Sequence, residues 1–318
     1  MVKIATTCRH TSVQVVFLIL LLLLPSTGFA EQEIAVLTIR TDNIHKSMTS
    51  ELLPIARVDH GNFKAIDGIE DTDTLECSPK TFAGWERTGT TYAVLYRGGV
   101  IGSATARKHD RRGYSCSALC VVTAARKLKE HAPGIKTTRK GFDPSGSFDE
   151  SITQYVAYFT SDGQRPYSTR IAGPFTKSDR ESLEAYAKAK LATANQAPSP
   201  RVRVLDGPVE PFLGSKDGEV NVFFTAVVKG LDGDLHAISS VVRRGKDGVF
   251  ESLFELIEDG DEDKGAASYE MVDAVDFDGD GISEMLVIYH NYEFHEFQIL
   301  RRIGSKFEIV HKGPSYGC

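Results

Sequence analysis

Beyond Val220 the chain is cut into short apolar segments by Gly/Asp turns, and this punctuation constrains the fold more than any other feature. Val220 to Lys229, Leu235 to Arg244 and Val249 to Ile257 are rich in β-branched and aromatic residues, with turns at 230–234 and 245–248. Three more such segments follow, near 284–290, 294–302 and 306–311. Segments of this length joined by Gly/Asp turns predict antiparallel meanders. Val241-Val-Arg-Arg244 is echoed by Ile299-Leu-Arg-Arg302, an offset of 58 residues that suggests a duplicated three-strand meander.

The second feature is chemical. Asp276-Phe-Asp-Gly-Asp-Gly-Ile-Ser-Glu284 places carboxylates at Asp276, Asp278 and Asp280, glycines at 279 and 281, and a closing acid at Glu284. Hard oxygen ligands converging on a short loop suit Ca²⁺, which takes six to eight oxygens in a flexible shell. An EF-hand would need a bidentate acid at the twelfth position, which here is Val287, and a helix after the loop. Met285-Leu-Val-Ile-Tyr289 reads instead as a strand. The same residues also suit a metal-free turn, because Asp and Gly favour turns without a cation. Four acids in nine residues repel one another, however, unless a cation is present.

A nine-residue acidic loop running straight into an apolar strand resembles the calcium loop of integrin-type FG-GAP repeats and their secreted, VCBS-like relatives. The resemblance implies side-chain ligation by Asp276, Asp278 and Asp280, backbone ligation by the Ile282 carbonyl, and Glu284 in the place of a final Asp. It covers one copy, so it implies one structural Ca²⁺ and not a complete propeller.

Val13 to Leu24 is a twelve-residue apolar run broken only by Gln14, behind Lys3 and Arg9, and Gly28-Phe29-Ala30 supplies small residues for cleavage before Glu31. Residues 1–30 therefore read as a secretory signal peptide; the run falls short of the ~20 residues that span a bilayer. Its removal takes the net charge from −6 to −8, because two basic residues and no acid leave. Cys77, Cys116, Cys120 and Cys318 remain, an even count that favours disulfides in an oxidising compartment, with connectivity open. Cys116-x-x-x-Cys120 lacks the partners of a zinc site. The expected location is periplasmic or extracellular.

The fold class expected is α+β and β-rich, with antiparallel sheets and one helix over about 178–195. Ser178-Asp-Arg-Glu181 reads as its capping box, and Leu183, Tyr186, Ala187 and Leu191 as its apolar stripe. Ala197-Pro-Ser-Pro200 marks the expected boundary between an N-terminal α+β domain (31–196) and a β-rich, FG-GAP-like domain (201–318). Earlier, Glu33 to Arg40 reads as a strand, Tyr92 to Tyr96 and Val100 to Ala106 as a hairpin, and Ile152 to Thr160 as a strand. Residues 118–129 suit either helix or strand, and 41–90 give no clear pattern.

Catalysis is not written locally. No P-loop, Gly-x-Ser-x-Gly elbow or dinucleotide Gly pattern occurs. His290-Asn-Tyr-Glu-Phe-His295-Glu296 is the one His-rich segment, and a polar turn between two strands accounts for it better than a metal site. The basic stretch 97–140 has no interleaved aromatics and reads as a solvated face, which argues against nucleic acid. No catalytic residue is assigned. The expected function is an exported, soluble, calcium-binding module of adhesive or binding type, with a protein or glycan partner and no membrane span in the mature chain. The alternative is a secreted hydrolase with a structural calcium and an active site in 31–195.

Overall fold

The computed structural model describes residues 32–66, 88–97, 99–113, 118–129, 135–143, 146–161, 176–193, 209–215, 219–229, 234–245, 247–260, 265–292 and 294–316. Residues 1–30, Cys77, Cys116, Cys318 and the boundary at 197–200 lie outside them. Residues 31–318 cohere as one unit. Among the described residues the chain is β-rich with one helix and antiparallel pairing throughout, as expected.

The first eight strands are β1 (Gln32–Asp42), β2 (Ser47–Asp59), β3 (Asn62–Lys64), β4 (Thr91–Tyr96), β5 (Gly99–Gly113), β6 (Ala118–Leu128), β7 (Ile135–Asp143) and β8 (Gly146–Thr160). Six of them close a barrel in the order β1-β2-β6-β5-β4-β8, with β8 pairing back onto β1; β3 extends β2 and β7 extends β8. Closure explains β1, which is hydrogen-bonded on both edges and buried continuously from Glu33 to Ile39. It also settles the ambiguous segment at 118–129 as strand β6, held between β5 and β2. Strand β2 lies in the stretch that gave no clear pattern, because its charge and its Pro54 obscure an otherwise buried run from Ser50 to Ala56.

Two four-stranded meanders follow: β9 (Val209–Leu213), β10 (Val220–Lys229), β11 (Leu235–Arg244) and β12 (Phe250–Gly260), then β13 (Ser268–Val275), β14 (Glu284–His290), β15 (His295–Ile303) and β16 (Lys306–Tyr316). Each sheet keeps its strands in sequence order. The echoed Val-Val-Arg-Arg and Ile-Leu-Arg-Arg segments fall on β11 and β15, the third strand of each. The sequence pattern had three strands per copy; each sheet has one more at its start.

The layers are read from the side chains. Along β14, Leu286 and Ile288 join the barrel core while Met285 and Val287 join a second core with Phe223, Val241 and Leu253. Along β10, Phe223 enters that second core, whereas Val222, Phe224, Ala226 and Val228 enter a third core with the helix. This period-two alternation puts the β13–β16 sheet between the barrel and the β9–β12 sheet, with the helix on the far face.

The helix α1 (Lys177–Thr193) buries Leu183, Ala187 and Leu191 at the predicted spacing, and its Tyr186 packs edge-on against Phe224 and Phe250. Its cap differs from the predicted one. Thr176 Oγ1 accepts from the Asp179 N–H at 3.1 Å, while Asp179 Oδ2 accepts from the Thr176 N–H at 3.1 Å. The reciprocal box is thus Thr176 and Asp179. Arg244 of β11 reaches Asp179, which holds that carboxylate in place and leaves Glu181 to a surface contact with Lys177. The helix precedes the expected boundary in sequence yet packs on strands beyond it.

Candidate metal centre

The loop from Asp276 to Ser283 joins β13 to β14 and turns on Gly279 and Gly281, whose φ values of 80° and 96° suit residues without a Cβ. Asp276 organises it from inside. Its carboxylate, 1% exposed, accepts from the N–H of Gly279 at 2.7 Å and of Gly281 at 2.9 Å. Asp278 Oδ1 accepts from Asp280 N–H, and Asp280 Oδ1 accepts from Ile282 N–H. Glu284, fully buried, accepts from Phe277 N–H at 2.8 Å and so closes the loop at the first residue of β14.

Three of the four predicted side-chain ligands converge: one oxygen each from Asp276, Asp278 and Glu284 lie within 4.8 Å of one another. Asp280 does not join them; it is exposed and supports the turn. Ile282 forms an isolated antiparallel bridge with Ser215.

Arg301, on β15, was not among the sequence-derived site residues. Its Nε donates to Glu284 Oε1 at 2.9 Å, its Nη2 contacts Asp278 Oδ2, and its Nη1 donates to the Gly61 carbonyl at 2.7 Å. The Phe63 ring lies beneath the guanidinium, 5.2 Å from its centre. Its only sequence signal was the echoed Arg-Arg, which read as part of a repeat. The other member of that pair, Arg302, shares Glu219 with Arg243, at 2.6 and 3.2 Å.

The loop therefore sits where three sheets meet. Gly61 belongs to the His60–Gly61 turn between β2 and β3, both residues at positive φ. Tyr158 of β8 donates its hydroxyl to the Phe277 carbonyl at 3.2 Å and stacks on the Phe277 ring. Ser283 donates its N–H to the Gly214 carbonyl and its hydroxyl to the Leu213 carbonyl, at the end of β9.

Among the described residues, the site carries four acids against one guanidinium. The Glu284 carboxyl is pushed up to about 8; burial is the largest cause, and the charges of the neighbouring Asp280 and Asp276 add to it. Hard oxygen donors, convergence and surplus negative charge together fit a Ca²⁺-class cation.

The His-rich segment is indeed a turn, closed by Asn291 N–H to the Phe294 carbonyl at 2.9 Å. The turn changes the face count, however. In one continuous strand His290 and His295 would point to opposite sides; across the β14–β15 hairpin they are direct partners on one face. Their Nδ1 atoms are 2.8 Å apart, and Glu270 Oε2 is 3.1 Å from His290 Nε2.

Among the described residues, no helix is long and apolar enough to cross a membrane. No protein-family model matches the chain, and no curated protein or solved structure matches it either.

Proposed function

We propose that this protein is an exported, non-catalytic binding module whose barrel and meanders are locked together by one structural Ca²⁺ in the 276–284 loop. The observation that carries the reading is the convergence of Asp276, Asp278 and Glu284 at a three-sheet junction, with one guanidinium against four acids. Those three side chains would hold the ion. The ion would supply charge neutralisation and rigidity, and stabilise the fold by binding its native state alone. The partner would be a protein or a glycan of the periplasm or cell exterior.

A second reading is favoured by Arg301, whose guanidinium already bridges Asp278 and Glu284 and could serve as the fixed cation of a metal-free cluster. Thermal melting in EDTA, in millimolar Ca²⁺ and in millimolar Mg²⁺ separates the two. A rise with Ca²⁺ alone, lost in Asp278→Ala, supports the calcium module. Coincident curves in all three conditions leave Arg301 as the cation and remove the calcium reading.

A further inference from the structure

A cavity of about 180 Å³ lies between the barrel and the β13–β16 sheet. His290, His295 and Glu270 line it from the sheet side; Arg40, Glu51 and Gln154 line it from the barrel side. The strand register builds the sheet side. Ser268, His290, His295 and Tyr316 are successive cross-strand partners, so they form one row on one face, and Glu270 stands two residues along β13 on the same face.

We infer that His290 and His295 form a site for one first-row transition-metal ion of the Zn²⁺ class, with Glu270 as the carboxylate behind His290. Three features carry this. First, two imidazole nitrogens converge, and imidazole is a donor that Zn²⁺ and its neighbours accept readily whereas Ca²⁺ does not. Second, the far nitrogen of His290 faces a carboxylate at 3.1 Å, the arrangement that fixes a ligating histidine's tautomer and raises its basicity. Third, the pair opens on a cavity in which Arg40, Glu51 and Gln154 stand among apolar side chains, which leaves room for water or a small ligand at the remaining positions.

The tautomers are consistent with this. Glu270 Oε2 accepts a hydrogen bond from His290 Nε2–H, so His290 Nδ1 carries a lone pair. In the metal-free pair His295 Nδ1–H donates to it. On binding, His295 moves that proton to Nε2 and both Nδ1 lone pairs face the ion, with no net change in protons. Two Zn–N bonds of about 2.0–2.1 Å at a tetrahedral angle separate their nitrogens by about 3.3 Å. The present separation is 2.8 Å, so both rings must part slightly and turn toward a common point to take the ion. Arg40, which lines the same cavity, faces Glu51 at 3.7 Å, which offsets its repulsion of a cation.

The test is titration of the purified protein with Zn²⁺ in the presence of excess Ca²⁺, which competes for oxygen-donor sites such as the acidic loop and leaves imidazole sites open. One equivalent should bind. His290→Ala and His295→Ala should each weaken it at least about tenfold, and Glu270→Gln about tenfold or more. Asp278→Ala should leave it unchanged. In the unaltered protein, ¹⁵N spectra of the histidine rings should show Zn²⁺ shifting two Nδ1 resonances together, a readout that needs no variant to fold. Absence of stoichiometric binding, binding that survives both histidine changes, displacement by Ca²⁺, or unmoved Nδ1 resonances would each overturn the proposal.

Discussion

The acidic loop and the histidine pair sit on the same sheet, at opposite ends of β14, and they are built in opposite ways. The loop is local: Asp276, Asp278 and Glu284 come within nine residues, and hydrogen bonds among those residues shape it. The histidine pair is assembled by register, with Glu270 from β13, His290 from β14 and His295 from β15. A locally built site can be read from spacing. A site built across strands can be read only when the turn residues are known, because one hairpin reverses which side chains share a face. The two also differ in chemistry, oxygen donors with surplus negative charge against nitrogen donors with an outer carboxylate.

The largest effect expected is at Arg301. Arg301→Ala removes the one protein cation from the loop and leaves Asp278 and Glu284 unpaired; in EDTA it should cost about 3–5 kcal/mol in a denaturant titration. If Ca²⁺ restores most of that loss, the ion and the guanidinium neutralise the same charge. If it restores none, the loop is an arginine cluster and its contrast with the histidine pair becomes one of metal-free against metal-binding.

Next is Ca²⁺ itself. At a hundredfold excess over Kd it should add about 2.7 kcal/mol. For a chain of this size that is roughly 5 °C in melting temperature. Asp276→Ala should abolish the gain and also lower the starting stability, because Gly279 and Gly281 lose their acceptor. His295→Ala should leave the gain intact, and a coupled loss would break the separation of the two sites.

The pH dependence comes third. With Glu284 at about 8 in the fold against an ordinary value of 4.5, the folded state retains a proton that the unfolded state has released between those values. Metal-free stability should therefore fall as pH rises from about 5 to about 8, and Glu284→Gln should flatten that slope. In Ca²⁺ the slope should disappear, since the ion takes the ionised carboxylate. His311 gives the opposite sign. Burial holds its imidazole below the usual value while its Nε2 meets the Ile55 carbonyl at 2.9 Å, so stability should fall as pH drops below about 6.5, and less so in His311→Gln.

The smallest is Gly61→Ala. A Cβ there would stand 3.1 Å from Asp278 Oδ2 at a φ of +74°, so a loss of about 1 kcal/mol is expected, with weaker Ca²⁺ binding as Asp278 is displaced. Unchanged Ca²⁺ affinity would show that the barrel does not position the loop.

Residue spacing alone carried much of the molecule. The Gly/Asp punctuation after Val220 placed six of the eight meander strands, because alternation and turn chemistry are local. The stripe Leu183, Ala187 and Leu191 placed the helix for the same reason, although its cap is formed by Thr176 and Asp179. The loop's acids were legible, yet Asp280 stands apart from the converging three, since burial and not spacing decides which carboxylates meet. Tertiary structure decided the rest: closure of the barrel by β1 and β8, the packing of the helix on a sheet later in the chain, the entry of Arg301 among the acids, and the meeting of His290 with His295. Each depends on contacts between residues distant in sequence or on strand register, and neither leaves a periodic mark in the sequence.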